Sequence, residues 1–414
     1  MDQLECSVLQ QISSLLPSNP NRSTLVHTLV SKLGLLSPKL PDGTASPLRC
    51  LRPRDATRKE LEMYHTAQYL DFVLDPTNSD DSNISRDEYA EYGIEDDCPP
   101  FRGLPKYVTL VAGATLTAAE ALRTGGYNVA VCWDGGRHHA QKSHAAGFCY
   151  VADCVLSILA LRKPLPPLSP GLPTRKPKVM YLDLDVHFPD GVSHSFHQSS
   201  GKVPQVLTLS IHHASSGFYP ISHLSGLPSP TDPSFDPFTL SIPLQPGYSC
   251  STMARLWPII ESVKDAFKPD YVVLQCGVDA LAGDPCSVGN WSLEAESQGE
   301  NAPIDQKHEG GLGWCVRQVM RWGFKVLMLG GGGYNSPNAA RAWAYLTSLA
   351  IDRPIPLDTP IPSTGHAPFP LYAPSFTLDI PPGNMRDLNS AEYLSEVERV
   401  FEMAVERLKE RIGE

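Results

Sequence analysis

The sequence predicts an α/β fold: a single domain on a mostly parallel, multi-stranded sheet with helices on both faces. Two observations carry this. Short, nearly continuous apolar runs recur at residues 128–133, 178–186, 205–212, 270–276 and 324–329. Each is too short for a helix and reads as a strand buried on both faces. Helical patterns separate them, at 114–124, 151–161, 252–267 and 312–322. Strands alternating with helices give a parallel sheet with crossover helices.

Composition narrows the class. A hydrophobic content of 42% and a charged content of 19% are those of a globular chain, not a disordered one. The net charge of −11 argues against direct binding to nucleic acid and suits a cationic substrate such as a lysine-rich tail. No apolar run is long enough to span a membrane. The 10 cysteines include no C-x-x-C pair, which argues against a zinc finger or a disulfide framework and for a reducing compartment, cytosol or nucleus.

Three segments read as surface loop insertions: proline-rich 163–176, Ser/Pro/Asp-rich 224–238 and polar 294–310. None divides the chain, so residues 21–414 form one domain behind a lead-in of residues 1–20. The tail, 387–414, reads as an amphipathic packing helix.

In open α/β sheets, sites form beyond the carboxyl ends of the strands. Polar residues gather there. Past the first run lies Asp134-Gly-Gly-Arg-His-His, ending in His138 and His139. In and after the second lie Asp183, Asp185, His187 and Asp190. Asp279 follows the fourth run, and four glycines then Tyr334 follow the fifth. Asp183, Asp185 and His187 are two apart and face one side for as long as strand geometry lasts. Ionisable groups on a buried strand are costly unless paired or metal-bound. Asp185, His187 and Asp279 would make a zinc site with one open position; the alternative is a solvated strand end. A His pair in a loop is, alone, more often structural. Asp183 and Asp190 change that balance, since each can accept from one imidazole. The glycine run lacks the G-K-[ST] and G-x-G-x-x-G spacings of phosphate loops. It lets the backbone approach a site closely, and Tyr334 could offer its hydroxyl to an oxyanion.

Five stretches together resemble the zinc-dependent histone deacetylases, nearest their class I group. They are Trp133-Asp-Gly-Gly-Arg-His-His-Ala, Gly147-Phe-Cys-Tyr, Tyr181-Leu-Asp-Leu-Asp-Val-His, Gln275-Cys-Gly-Val-Asp-Ala-Leu-Ala-Gly-Asp-Pro and Leu329-Gly-Gly-Gly-Gly-Tyr-Asn. The resemblance implies the arginase/deacetylase fold, Zn2+ as cofactor and hydrolysis of acetyl-lysine in histones or other proteins. It implies Asp185, His187 and Asp279 as ligands and His139 as the general base, oriented by Asp190. It makes His138, paired with Asp183, the electrostatic partner of His139, and Tyr334 the oxyanion donor. Phe148 and Tyr219 become tunnel walls, Asp97 the rim carboxylate, Cys286 a rim residue and Arg22 the arginine at the pocket foot. A monovalent cation such as K+ would use Asp183 and Ser210. Acetylated histone tails, corepressor subunits and a nuclear site of action follow as expectations.

The sequence departs from the family in five places, one of them Ile221-Ser-His where Gly-Thr-Gly is usual. Phe188-Pro189 stands where His-Gly is usual and predicts a displaced Asp190 loop. Tyr219 stands for Phe, and Cys286 for Leu or Met. Residues 1–16 read as a helix or lead-in where the family has an interior strand, which predicts a gapped sheet and a start placed too late or a missed exon. Three other functions stay open: an acetylpolyamine amidohydrolase, a catalytically weak corepressor scaffold, and a dinucleotide-binding oxidoreductase, the last poorly supported.

Overall fold

In the computed structural model, residues 3–39, 48–79, 86–165, 174–198, 204–286, 288–295 and 309–413 are described. Much of two predicted insertions, 166–173 and 296–308, lies outside them. Six strands form one sheet: β1 (Val129–Cys132), β2 (Val179–Asp183), β3 (Val206–His213), β4 (Thr239–Leu244), β5 (Tyr271–Gln275) and β6 (Lys325–Leu329). Their order is β1-β6-β5-β2-β3-β4, and every pair is parallel.

Every residue of β2, β3 and β5 is buried. The pleat sends alternate side chains to opposite faces. Val179, Tyr181, Val273 and Leu327 enter one core, which the helices Leu104–Thr124 and Asp153–Leu161 cover. Met180, Leu182, Val272 and Met328 enter the other, under Cys250–Phe267, Leu312–Arg321, Ser336–Ala350 and Ala391–Ile412. The chain steps outward from β2 through β3 to β4, then returns to add β5 on the other side of β2. The direction of winding therefore reverses between β2 and β5, and a crevice opens at their carboxyl ends.

Three expectations change. The run 178–186 is a strand only to Asp183, so Asp185 and His187 lie beyond it. There, side chains replace ladder partners: the Asp185 and His187 amides donate to Asp183 Oδ1 and Asp185 Oδ1. Strand β4 was not foreseen. Pro243 and two hydroxyl residues disguise it, and as an edge strand it tolerates a missing donor. Third, the described sheet has no interior gap. Each of its six strands pairs with its neighbour across the whole sheet, β1 is an edge strand, and Gln3–Ser13 is a helix against Arg22–Lys32 and Leu104–Thr124. Among the described residues, no helix is long and apolar enough to cross a membrane.

Two buried histidines lock loops to this frame. His65 Nε2 accepts the Ala152 amide at 3.0 Å, and its Nδ1–H donates to Lys142 O at 3.2 Å. His212 Nε2–H donates to Ser225 O, and its Nδ1 accepts from Ser210, both at 2.9 Å. Each ring is thus held neutral, and burial lowers both pKa values to about 4. The unfolded value is ~6.5, above the folded one. The stabilisation is complete above pH 6.5 and is lost as pH falls toward 4. Urea unfolding at pH 5 should show a stability lower than at pH 7 by about 1–2 kcal/mol per histidine. A flat profile over that range would contradict it.

Candidate active site

Asp185 and His187, past β2, meet Asp279, past β5, in the crevice. His187 Nδ1 stands 3.2 Å from Asp185 Oδ1 and 3.0 Å from Asp279 Oδ2. Both carboxylates are buried. Asp185 Oδ2 also accepts from Gln275 Nε2 at 2.9 Å and from the Gly332 amide at 2.7 Å. Asp279 Oδ1 accepts the Val186 amide at 3.0 Å. Burial alone would raise the Asp185 pKa, yet His138, His187 and Gln275 outweigh it and hold the carboxyl well below its usual range. Burial and the Asp185 charge push Asp279 up. Burial disfavours a charged His187, but the two carboxylates raise its pKa well above the usual value. The cluster therefore draws positive charge to Nδ1, the atom that faces both carboxylates.

The paired histidines sit on the loop after β1. Asp153, at the start of its helix, accepts the Gly136 and Arg137 amides at 2.9 and 2.7 Å and fixes that loop. His138 Nδ1 is 2.9 Å from Asp183 Oδ2, and His139 Nδ1 is 2.7 Å from Asp190 Oδ1. The two rings differ in charge. Burial opposes protonation of His138, but Asp185 and Asp183 overcome it and raise the pKa to about 9. Burial and the His138 charge lower His139 to about 4. One imidazole is a cation at neutral pH and its neighbour is a neutral base.

Pro189 does not keep Asp190 from His139. Pro189 caps the helix Asp190–Phe196, where its fixed φ of −79° fits and a missing N–H goes unnoticed. Asp190 reaches His139, and its other oxygen accepts from Gln141 at 3.0 Å. Phe188 is buried against His212, with ring centroids 5.0 Å apart.

Aromatic rings flank the cluster. Tyr219 lies edge-on to His139 at 5.0 Å, and Phe148 meets the Tyr334 ring at 5.7 Å. The Tyr334 pKa is raised well above 10 by burial and the nearby carboxylates, so its hydroxyl remains a donor. Asp97 accepts the Gly147 amide at 2.8 Å, which ties it to the turn carrying Phe148. Arg22 donates to Gly333 O at 2.9 Å and lies over Trp343, beneath the Tyr334 loop. Asp183 and Ser210 are register partners on β2 and β3. The Asp183 carboxylate serves His138, Tyr181 and the Asp185 amide, while Ser210 engages His212. Cys286 is half-buried. Among the described residues, its sulfur and ligand atoms of His187 and Asp279 fall within 4.8 Å of one another.

The histone deacetylase domain matches residues 16–350, which contain every residue of this cluster. The chain belongs to the histone deacetylase family. It is 33% identical over 382 residues to histone deacetylase 8 of Xenopus tropicalis, covering 91% of this chain and 90% of that protein. It is 32% identical to histone deacetylase 9 of Arabidopsis thaliana, covering 92% of this chain and 79% of that protein. Against histone deacetylase RPD3 of Saccharomyces cerevisiae the identity is 31%, over 92% of this chain and 77% of that protein. The deacetylase fold expected from the sequence is thus the fold observed.

Several supporting residues of this deacetylase were given no role by the sequence, though Tyr181, Gln275 and Asp284 lie inside the quoted motif stretches. Gln141, Tyr181 and Gln275 are ordinary loop or strand residues until tertiary contacts aim them. Asp153 reads as a first-turn helix carboxylate, and Asp284 as a turn residue. A bare glycine backbone makes room for the carboxylates. A Cβ at Gly332 would stand 1.9 Å from Asp279 Oδ2, and one at Gly277 2.1 Å from Asp185 Oδ2. Two close carboxylates, an imidazole nitrogen and this glycine cradle fit a divalent metal ion. Gly332→Ala should displace Asp279 and weaken divalent-ion affinity by about 10–100-fold. Competition with a metallochromic dye would measure this, with circular dichroism confirming an intact fold.

Proposed function

We propose that this deacetylase hydrolyses the Nε-acetyl amide of lysine in histones or other proteins, with Zn2+ held by Asp185, His187 and Asp279. The observation that carries the reading is the pair of imidazoles, His138 on Asp183 and His139 on Asp190, beside a two-carboxylate, one-imidazole cluster. A zinc ion there would supply Lewis acidity and bring the pKa of water toward ~7.

The protein groups divide the remaining work. Asp190 accepts the His139 Nδ1–H and leaves Nε2 free to take a proton from the attacking water. That proton later goes to the lysine amine as the C–N bond breaks. His138, held by Asp183, places a fixed positive charge beside the developing oxyanion. Tyr334 donates its hydroxyl to the acetyl oxygen. Phe148 and Tyr219 flank the lysine methylenes, and Asp97 sits where a substrate backbone amide would pass. Asp183 and Ser210 are the side chains proposed for a monovalent cation, K+. The net charge of −11 favours approach of a basic histone tail. Chromatin regulation in the nucleus, within a corepressor complex, is the setting this substrate implies.

The purified chain should carry about one zinc and release lysine from a fluorogenic acetyl-lysine peptide. Asp279→Ala should lose the metal. Tyr334→Phe should keep it while kcat falls by about 10²–10³-fold. Asp190→Asn should lower kcat by about 10²-fold with KM nearly unchanged, because the His139 tautomer is no longer set. Zinc bound without turnover, with acetylpolyamines hydrolysed instead, would overturn the substrate reading.

A further inference from the structure

We infer that Cys286 is a fourth protein ligand of the metal, one that competes with water for the open coordination position. This rests on the metal site proposed above. The loop that bears Cys286 is anchored beside the site. Asp284 Oδ1 accepts the Cys286 amide at 3.0 Å. Its Oδ2 accepts the Tyr334 and Asn335 amides at 2.7 and 3.1 Å, so one carboxylate clamps the Cys286 loop to the tyrosine loop. The thiol then lies where ligand atoms of His187 and Asp279 come within 4.8 Å of it and of one another. Leu or Met, the residues expected at this place, would line the wall here; a cysteine adds a soft, anionic donor.

Binding is balanced simply. The sulfur–metal bond forms, one water leaves the metal, and the thiol proton passes to solvent. With Asp185, His187 and Asp279 as the other ligands, a bound Cys286 would give the ion four protein ligands, the number found in closed zinc sites. The sulfur-bound form is therefore a resting form, and the sulfur must leave before substrate is attacked. A thiolate also shifts metal preference toward zinc and away from harder ions such as Mn2+ or Mg2+.

Cobalt reports sulfur ligation directly. The metal-free full-length protein is loaded with Co2+, and its near-ultraviolet spectrum is compared with that of Cys286→Ser. A thiolate-to-cobalt charge-transfer band in the wild type, lost in the variant while cobalt stays bound, is the expected result. Cobalt bound without the band, or a band that survives in Cys286→Ser, overturns the inference and leaves the metal site standing. No cobalt binding at all removes both. Alkylation mapped by mass spectrometry gives a second readout should the variant fold poorly. Zinc should protect Cys286 in the wild type but not the exposed Cys50. Equal alkylation of Cys286 with and without zinc also overturns it.

Discussion

The Asp185 carboxylate is the group around which this structure is arranged. It is buried at the mouth of a dry parallel sheet, where an unpaired ion would cost several kcal/mol. Four donors meet it: the His187 amide and ring, Gln275 and the Gly332 amide. Hydrogen bonds to a charged group contribute about 1.5–3 kcal/mol each, so together they offset that burial. They also join three strand ends, since His187 follows β2, Gln275 ends β5 and Gly332 follows β6. Satisfying one carboxylate brings the site together.

A second consequence is the unequal charge of the paired histidines. They are adjacent in sequence, and both contact a carboxylate. His138 faces the interior, where Asp183 and Asp185 add their fields, and it holds a proton. His139 is turned to Asp190 and feels the His138 charge, and it does not. Two identical side chains acquire opposite roles because the interior distributes negative charge unevenly around them.

Much of the site was legible in the sequence. His138, His139, Asp185, His187, Asp279 and Tyr334 all follow strands, and strands of a parallel sheet end on the same side. What holds them was less legible. Asp153, Gln141, Gln275 and Asp284 support the site through contacts between distant segments, which no local spacing encodes. Pro189 fits its place because proline is unfavourable inside a helix but compatible with its start. The alternation argument for Asp185 and His187 assumed a strand through both, but the strand ends at Asp183 and Asx-type bonds turn the chain.

Local pattern and chemistry in the sequence determined the strand-helix alternation, the parallel sheet, the end of the sheet where polar residues collect and the family. The first three follow from apolar periodicity and residue type and the family from the resemblance of five motif stretches, all of them properties of short segments. Tertiary structure alone decided the strand order, the reversal between β2 and β5, the electrostatic surroundings of each histidine and the placement of Cys286 beside His187 and Asp279. Those depend on distances between residues far apart in the chain, and on the low-dielectric surroundings that make such distances matter.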